Sequence, residues 1–211
     1  MKNCLILDFD GTIADAVPLI REIYAEIASK RGFPQIDDET YSQLRKGSVK
    51  DVLKWVGVKP WQLPSALKEG RKLFADKSDQ VNLYNGVPEL IKKLSAQTWD
   101  IYILSSNSEK TIKNILKRYD LDNLIVILKR PPIFGKANSI NKLVKKNNYQ
   151  KSKVWMVGDE VRDVVAGKKA GVNTLSVSWG LQDQELLKKN KPTHLVSTVA
   201  KMSEILIGAG D

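Results

Sequence analysis

An apolar run near the amino terminus ends in a pair of acidic residues: residues 4–12 read CLILDFDGT. Its apolar part, Cys4–Leu7, is continuous rather than alternating, which is typical of a strand covered on both faces. Asp8 and Asp10 are one residue apart, so both side chains point the same way at the carboxyl end of that strand, where α/β proteins place their sites. Gly11 then allows a sharp turn that keeps backbone amides near the carboxylates. Asp and Gly also close ordinary turns, but two acids at the tip of a buried strand are costly unless a cation offsets them.

Similar short apolar runs alternate with helical patterns along the rest of the chain. This alternation is typical of an α/β protein with a doubly wound, Rossmann-like parallel sheet. The predicted strands are Cys4–Phe9, Ile101–Ser105, Leu124–Leu128, Val154–Val157, Thr174–Val177 and His194–Val196.

The first two predicted strands are separated by about ninety residues without a comparable apolar run, far more than a crossover helix needs. Helical periodicity marks three segments of this stretch: Pro18–Lys30, Val49–Val56 and Pro64–Ala75. We therefore expect a small helical cap domain at residues 16–82, inserted into a core domain formed by residues 1–15 and 83–211.

Composition excludes several classes of protein. The 211 residues are 42% hydrophobic and 27% charged, which is ordinary for a globular chain. A single cysteine, Cys4, and a single histidine, His194, leave no disulfide framework and too few ligands for a structural zinc site. No apolar segment approaches the roughly 18 residues that cross a bilayer. We expect a cytoplasmic protein with no membrane partner, as a monomer or weak dimer.

The net charge of +10 favours an anionic partner. Nucleic-acid binding requires a clustered basic stripe with interleaved aromatic residues, or a known module. Here the lysine pairs fall on different predicted helices, and the five tryptophans are not interleaved with them. A small phosphorylated metabolite is therefore favoured over nucleic acid as the partner.

The fourth predicted strand also ends in acidic residues, since residues 157–163 read VGDEVRD. Sheet topology can bring this tip beside the first, so that Asp8, Asp10 and Asp159 converge. Ligands that are all oxygens suit a hard cation, above all Mg²⁺. Asp163 lies one helical turn further on, where it would act through a water or through another ligand.

Other strand ends carry groups suited to phosphate. A carboxylate such as Asp8 is a poor nucleophile towards a phosphate dianion unless a metal and cationic groups screen the charge. The second predicted strand ends at Ser105, followed by Ser106, at the start of a helix, where hydroxyls and free amides can bind phosphate. Lys136 opens the helix after the third strand, and its charge can reach the same site.

These segments resemble, in order and spacing, the four motifs of the haloacid dehalogenase superfamily across nearly the whole chain. Residues 8–12 are similar to its DxDGT motif and residues 158–163 to its GDxxxD motif. The resemblance implies that Asp8 is the nucleophile, Asp10 the acid/base and Asp159 a metal ligand. It further implies that Ser105 and Lys136 bind phosphate. The function implied is that of a Mg²⁺-dependent phosphatase working through an aspartyl-phosphate on Asp8.

The insert resembles the cap of subfamily I. Residues 44–48, LRKGS, are similar to the substrate-facing cap loop of phosphoglycolate phosphatases and β-phosphoglucomutases. Arg45 and Lys46 are therefore candidate substrate contacts, and the alternative is that both belong to the solvated surface.

Several alternatives stay open at this level. Ser106 with Asn107 gives a second register for the phosphate-binding hydroxyl, and Lys136 also fits a solvated helix start. A phosphomutase shares every motif, and a non-catalytic phosphate-binding or nucleic-acid-binding protein could use the same fold. Sugar phosphates, phosphoglycolate and nucleoside monophosphates are all compatible with the sequence.

Overall fold

A single parallel sheet of six strands organises the molecule. The computed structural model describes residues 2–97, 99–129 and 135–210. The strand order is β3-β2-β1-β4-β5-β6, and every pairing is parallel. The strands are β1 Asn3–Leu7, β2 Trp99–Ile103, β3 Val126–Ile127, β4 Val154–Gly158, β5 Asn173–Val177 and β6 His194–Val196. The predicted α/β fold class is confirmed.

Strand β1 lies at the centre because its side chains are apolar on both faces. Leu5 and Leu7 join one buried cluster, while Cys4 and Ile6 join a second cluster on the opposite face. All five residues of the strand are buried. Its neighbours are β2 and β4, so the carboxyl ends of these three strands lie side by side.

Helices cover the sheet. Those outside the insert are α5 Val87–Ala96, α6 Glu109–Lys117, α7 Lys136–Asn147, α8 Val161–Ala170, α9 Gln184–Lys189 and α10 Val199–Gly208. Within the described ranges, no helix is long and apolar enough to cross a membrane.

The predicted strand bounds differ from the observed ones by a few residues. Phe9 and Ser105 were predicted as the last residues of β1 and β2, yet both lie beyond the strand ends. The Phe9 amide donates to its neighbour, the Asp8 carboxylate, instead of to another strand. The short β3 reflects an outer position in the sheet, where Val126 is exposed.

The insert is helical, as predicted. Its helices are α1 Val17–Arg31, α2 Asp38–Leu44, α3 Val49–Val56 and α4 Leu63–Asp76. Helix α2 was not predicted, because it buries none of its residues and so lacks an apolar periodicity. Its start is fixed by the Asp37 side chain, which accepts a hydrogen bond from the Thr40 amide.

The two chain segments that join the insert to the sheet run side by side. Ala14 and Leu83 form an isolated antiparallel bridge, and the Asp15 amide donates to the Asn82 carbonyl at 2.8 Å. Closely spaced ends allow an insertion without disturbing the parent fold. This pairing supports residues 16–82 as the cap, a boundary that we retain as a proposal.

Candidate active site

The end of β1 holds the Asp8 carboxylate between its two neighbouring strands. The Asp8 amide donates to the Val157 carbonyl of β4 at 2.8 Å, and the Leu104 amide donates to the Leu7 carbonyl. Asp8 is 3% exposed. One of its carboxylate oxygens accepts from the Phe9 amide at 2.8 Å, and the other lies 2.7 Å from the Lys136 ammonium.

The structure brings the acidic end of β4 against that of β1. Carboxylate oxygens of Asp8, Asp159 and Asp163 lie within 4.8 Å of one another, and all three residues are buried. Lys136 bridges the group, because its ammonium also lies 2.6 Å from Asp163. The predicted convergence of Asp8 and Asp159 is therefore observed. The Asp10 carboxylate lies outside this trio.

Asp159 is held by one bond to each of its oxygens. The Thr12 hydroxyl donates to Oδ1 at 2.8 Å, and the Leu181 amide donates to Oδ2 at 2.7 Å. The backbone at Gly11 and at Gly180 lies so close to Asp159 that a Cβ atom at either position would collide with the Asp159 side chain. Gly11 also has φ +78°, a left-handed conformation that favours glycine.

Acidic groups outnumber cations in this buried region. Asp8, Asp159, Glu160 and Asp163 are buried, and they face two cations, Lys136 and Arg162, the latter paired with Glu160. Burial and the neighbouring negative charges raise the pKa values of Asp159 and Asp163. Burial opposes the charge of Lys136, but the carboxylates of Asp163 and Asp8 outweigh it and raise its pKa. Among the described residues, four buried acids thus face two cations, and a divalent cation would offset the excess negative charge.

The chemistry of the trio fits such a cation. Asp8 and Asp159 offer only oxygen donors, which are the ligands of Mg²⁺ in proteins. Asp163 contacts the Lys136 cation directly, because it accepts hydrogen bonds from the Lys136 ammonium at 2.6 Å and from the Glu160 amide at 3.2 Å. This arrangement suits Asp163 to orienting Lys136.

Asp10 points towards the second strand end instead. The Asn107 side-chain amide donates to both of its carboxylate oxygens, at 3.2 and 3.3 Å. Burial and, secondarily, the negative charge of Asp8 raise the pKa of Asp10 to about 7. A carboxyl group in that range can donate and accept a proton near neutral pH.

The two serines after β2 have different surroundings. Ser105 is buried, and its hydroxyl accepts from the Asn107 amide at 3.0 Å. Ser106 is half-buried and lines a cavity together with Asp10 and Asn107. The register of the phosphate-binding hydroxyl, Ser105 or Ser106, stays a prediction.

The cap loop approaches the core through Arg45. Its guanidinium donates to backbone carbonyls of the core loop after β5, at 3.0 Å to Gly180, 3.1 Å to Leu181 and 3.4 Å to Gln182. Lys46 is exposed. Contact of Arg45 or Lys46 with substrate stays a prediction, and the structure adds a further role for Arg45, as a link between cap and core.

Sequence reasoning missed several residues of the site. The sequence indicates Asn107 only as part of the second register of the phosphate-binding hydroxyl; the signal for its contact with Asp10 is an amide side chain directly after a neighbouring strand end. Thr12 belongs to the quoted motif, but its bond to Asp159 spans 147 positions in the chain. The contribution of Leu181 is a backbone amide, for which the sequence carries no signal.

A family model for haloacid dehalogenase-like hydrolases matches residues 5–177. Among curated proteins, a phosphoglycolate phosphatase of Synechococcus elongatus is 33% identical over 197 residues, covering 93% of each chain. A pyrophosphatase of Bacillus mycoides is 26% identical, covering 97% of this chain and 95% of its own.

Solved structures share the fold. A haloacid dehalogenase-like family hydrolase from Streptococcus pneumoniae superposes with a TM-score of 0.80 at 17% identity, covering 97% of this chain and 98% of its own. A hydrolase from Pseudomonas syringae gives a TM-score of 0.78 at 18% identity and covers all of both chains.

Proposed function

The chain belongs to the haloacid dehalogenase-like hydrolase family and is a phosphatase, and from that premise we propose a Mg²⁺-dependent hydrolysis of small phosphate monoesters through an aspartyl-phosphate on Asp8. The observation that carries this proposal is the convergence of Asp8, Asp159 and Lys136 at the ends of β1 and β4. A nucleophile, a candidate metal ligand and a cation are thereby held within one buried site.

In the first step, an Asp8 oxygen attacks phosphorus, and the bond between phosphorus and the alcohol oxygen breaks. Asp10 in its protonated form gives its proton to the departing oxygen, so that the alcohol leaves neutral. Asn107 holds the Asp10 carboxyl by two hydrogen bonds and so fixes its direction.

In the second step, Asp10 accepts a proton from a water molecule that attacks phosphorus. The bond between phosphorus and Asp8 then breaks, which releases inorganic phosphate and restores both carboxyl groups. The same group thus serves as acid and then as base.

Two kinds of group keep like charges from repelling during these steps. The Lys136 ammonium lies 2.7 Å from Asp8, and we expect it to stabilise the negative charge of the phosphoryl oxygens. Ser105 or Ser106 would donate hydrogen bonds to the same oxygens. When bound, Mg²⁺ would be held by Asp8, by the Asp10 backbone carbonyl and by Asp159, with Asp163 close by, and it would offset the charge of the phosphate dianion.

The test is phosphate release from a panel of small phosphate esters, with Mg²⁺ present. Phosphoglycolate enters the panel because the Synechococcus relative is named for it, and sugar phosphates and nucleoside monophosphates complete it. Release of inorganic phosphate distinguishes hydrolysis from the return of the phosphoryl group to a sugar by a mutase. Silence on this panel and on alkyl phosphates would contradict the proposal and favour a binding protein on the same fold.

A further inference from the structure

An apolar cavity of about 370 Å³ lies inside the cap. It is bounded by three helices, with Ile20 and Ile27 from α1, Val52 and Val56 from α3, and Leu63 and Phe74 from α4. Its volume falls within the usual range of ligand pockets, roughly 300–1,000 Å³.

The cavity continues to the candidate active site. Asp10, Ser106 and Asn107, which follow β1 and β2, line the same space as the cap helices. The proposed acid therefore lies at one end of an apolar chamber, on the side where the leaving oxygen would depart. A molecule that extends from the phosphate past Asp10 would enter it.

The helix faces that bound the cavity carry apolar side chains that are not fully packed against other parts of the cap. In α3, Val49, Val52, Leu53 and Val56 recur at the spacing of one helical face, and all but Val49 line the cavity. Val56 is buried, whereas the other three stay half-buried. Apolar side chains that face an open space, instead of one another, are typical of a binding pocket.

The charge of the lining discriminates between kinds of alcohol. Among the described residues that line the cavity, the charged ones are Asp10 and Arg71. A polyhydroxylated sugar would lose its hydration in such a chamber with few partners to replace it, and a second carboxylate would have Arg71 as its cationic partner. An alkyl or aryl group would lose nothing and would gain from leaving water.

We propose that the cap cavity binds the alcohol part of the substrate, and that the preferred substrates are phosphate monoesters of apolar alcohols. This inference rests on the proposed phosphatase function, since it assigns the leaving group of that reaction. It places selectivity in the apolar interior of the cap.

The first test compares ethyl, butyl and hexyl phosphate with phosphoglycolate on the wild-type enzyme with Mg²⁺. Each buried methylene contributes about 0.8 kcal/mol, or about fourfold in kcat/KM if fully realised. We expect kcat/KM to rise at least about tenfold from ethyl to hexyl phosphate, and hexyl phosphate to exceed phosphoglycolate. A flat series, or a preference for phosphoglycolate, would overturn the inference while leaving the phosphatase in place.

A binding measurement separates this inference from turnover. Alkylphosphonates cannot be hydrolysed, so their affinities can be determined by calorimetry on the wild-type protein with Mg²⁺. Hexylphosphonate should bind at least about tenfold more tightly than ethylphosphonate. If no ester is hydrolysed and this difference is still found, the hydrolysis proposal fails and the cavity assignment stands. Equal affinities would overturn the assignment.

A matched pair of variants tests whether the preference for longer alkyl groups arises in the cavity. Ala66→Phe places a ring in the cavity, which Ala66 lines, whereas Ala75→Phe places the same ring on the exposed face of the same helix. Ala66→Phe should reduce the hexyl-to-ethyl ratio of kcat/KM to within about threefold of unity, while Ala75→Phe should keep the wild-type ratio. Circular dichroism checks folding, and Ala66→Leu replaces the larger substitution if that variant does not fold. A ratio unchanged in the folded Ala66 variant would place the alcohol elsewhere.

Discussion

At the ends of β1 and β4, Asp8, Asp159 and Asp163 are at most 3% exposed, whereas in the cap α2 buries none of its residues and α3 buries one, Val56. Each of the six oxygens of those three carboxylates has a protein donor within 3.2 Å. The cap instead leaves apolar side chains around open space. Under the proposed function, the fixed carboxylates would carry out the phosphoryl transfer, which is the same for every ester, and the cap cavity would select the substrate.

This contrast separates two kinds of variant. A change at the strand ends should lower the rate on every phosphate ester by a similar factor, because all share the phosphoryl group. A change in the cap should alter the ratio between esters, because they differ in the alcohol.

Asp8→Asn should have the largest effect. The amide keeps the shape of the side chain but is not a nucleophile, so kcat should fall at least about a thousandfold on every ester. Phosphate release measured on p-nitrophenyl phosphate and on the best ester of the panel checks this. Residual activity within tenfold of wild type would exclude the covalent mechanism, and circular dichroism controls for folding.

Removal of the metal by a chelator should have the second largest effect. We expect activity to fall at least about a hundredfold in chelator and to return with Mg²⁺, but poorly with Ca²⁺, whose coordination sphere is larger and more flexible. Mg²⁺ should also raise the Tm of the wild-type protein, because it offsets the excess of buried acids. Full activity in chelator would contradict the proposed ligands Asp8 and Asp159.

Thr12→Val should have a smaller effect, confined to the metal. The substitution keeps the shape of a fully buried side chain but removes the hydroxyl that donates to Asp159. Loss of such a supporting bond typically costs 10–100-fold in metal affinity or activity, so we expect the Mg²⁺ concentration for half-maximal activity to rise about tenfold. Thr12→Ser, which keeps the hydroxyl, is the control. An unchanged Mg²⁺ requirement would contradict the proposed role of the Thr12 hydroxyl in holding Asp159.

The strand ends could be predicted from the sequence because their signals are local. A continuous apolar run predicts a strand covered on both faces, and the acids that end β1 and β4 stand directly after such runs. Parallel strands bring these ends to one edge of the sheet, so the sequence alone predicts that Asp8 and Asp159 meet.

The cap could be predicted only in outline. Helix α2 has no buried face and thus no periodicity. The face of α3 has the pattern of a core helix, and periodicity alone cannot distinguish a face that packs from one that borders a cavity. The partners of Arg45 lie about 135 positions later in the chain and are backbone carbonyls, which no side-chain pattern reveals.

The smallest expected effects concern Arg45 and Lys46, which are neighbours in sequence but differ in surroundings. Arg45 links the cap to the loop whose Leu181 amide holds Asp159. Arg45→Ala should therefore lower kcat/KM about three- to tenfold on p-nitrophenyl phosphate and on the best ester alike. Arg45→Lys should recover little, because one ammonium cannot match the forked guanidinium.

Lys46→Ala is the matched control for the cap loop. Its side chain is exposed, so its removal should change kcat/KM less than twofold on either compound. The pair also tests the original expectation that this loop touches the substrate. If Arg45→Ala spares p-nitrophenyl phosphate and impairs only the best ester, Arg45 contacts the alcohol and the cap selects by charge as well as by apolar volume. If both compounds lose equally, Arg45 acts on the core loop, and it belongs with the strand ends although the chain places it in the cap.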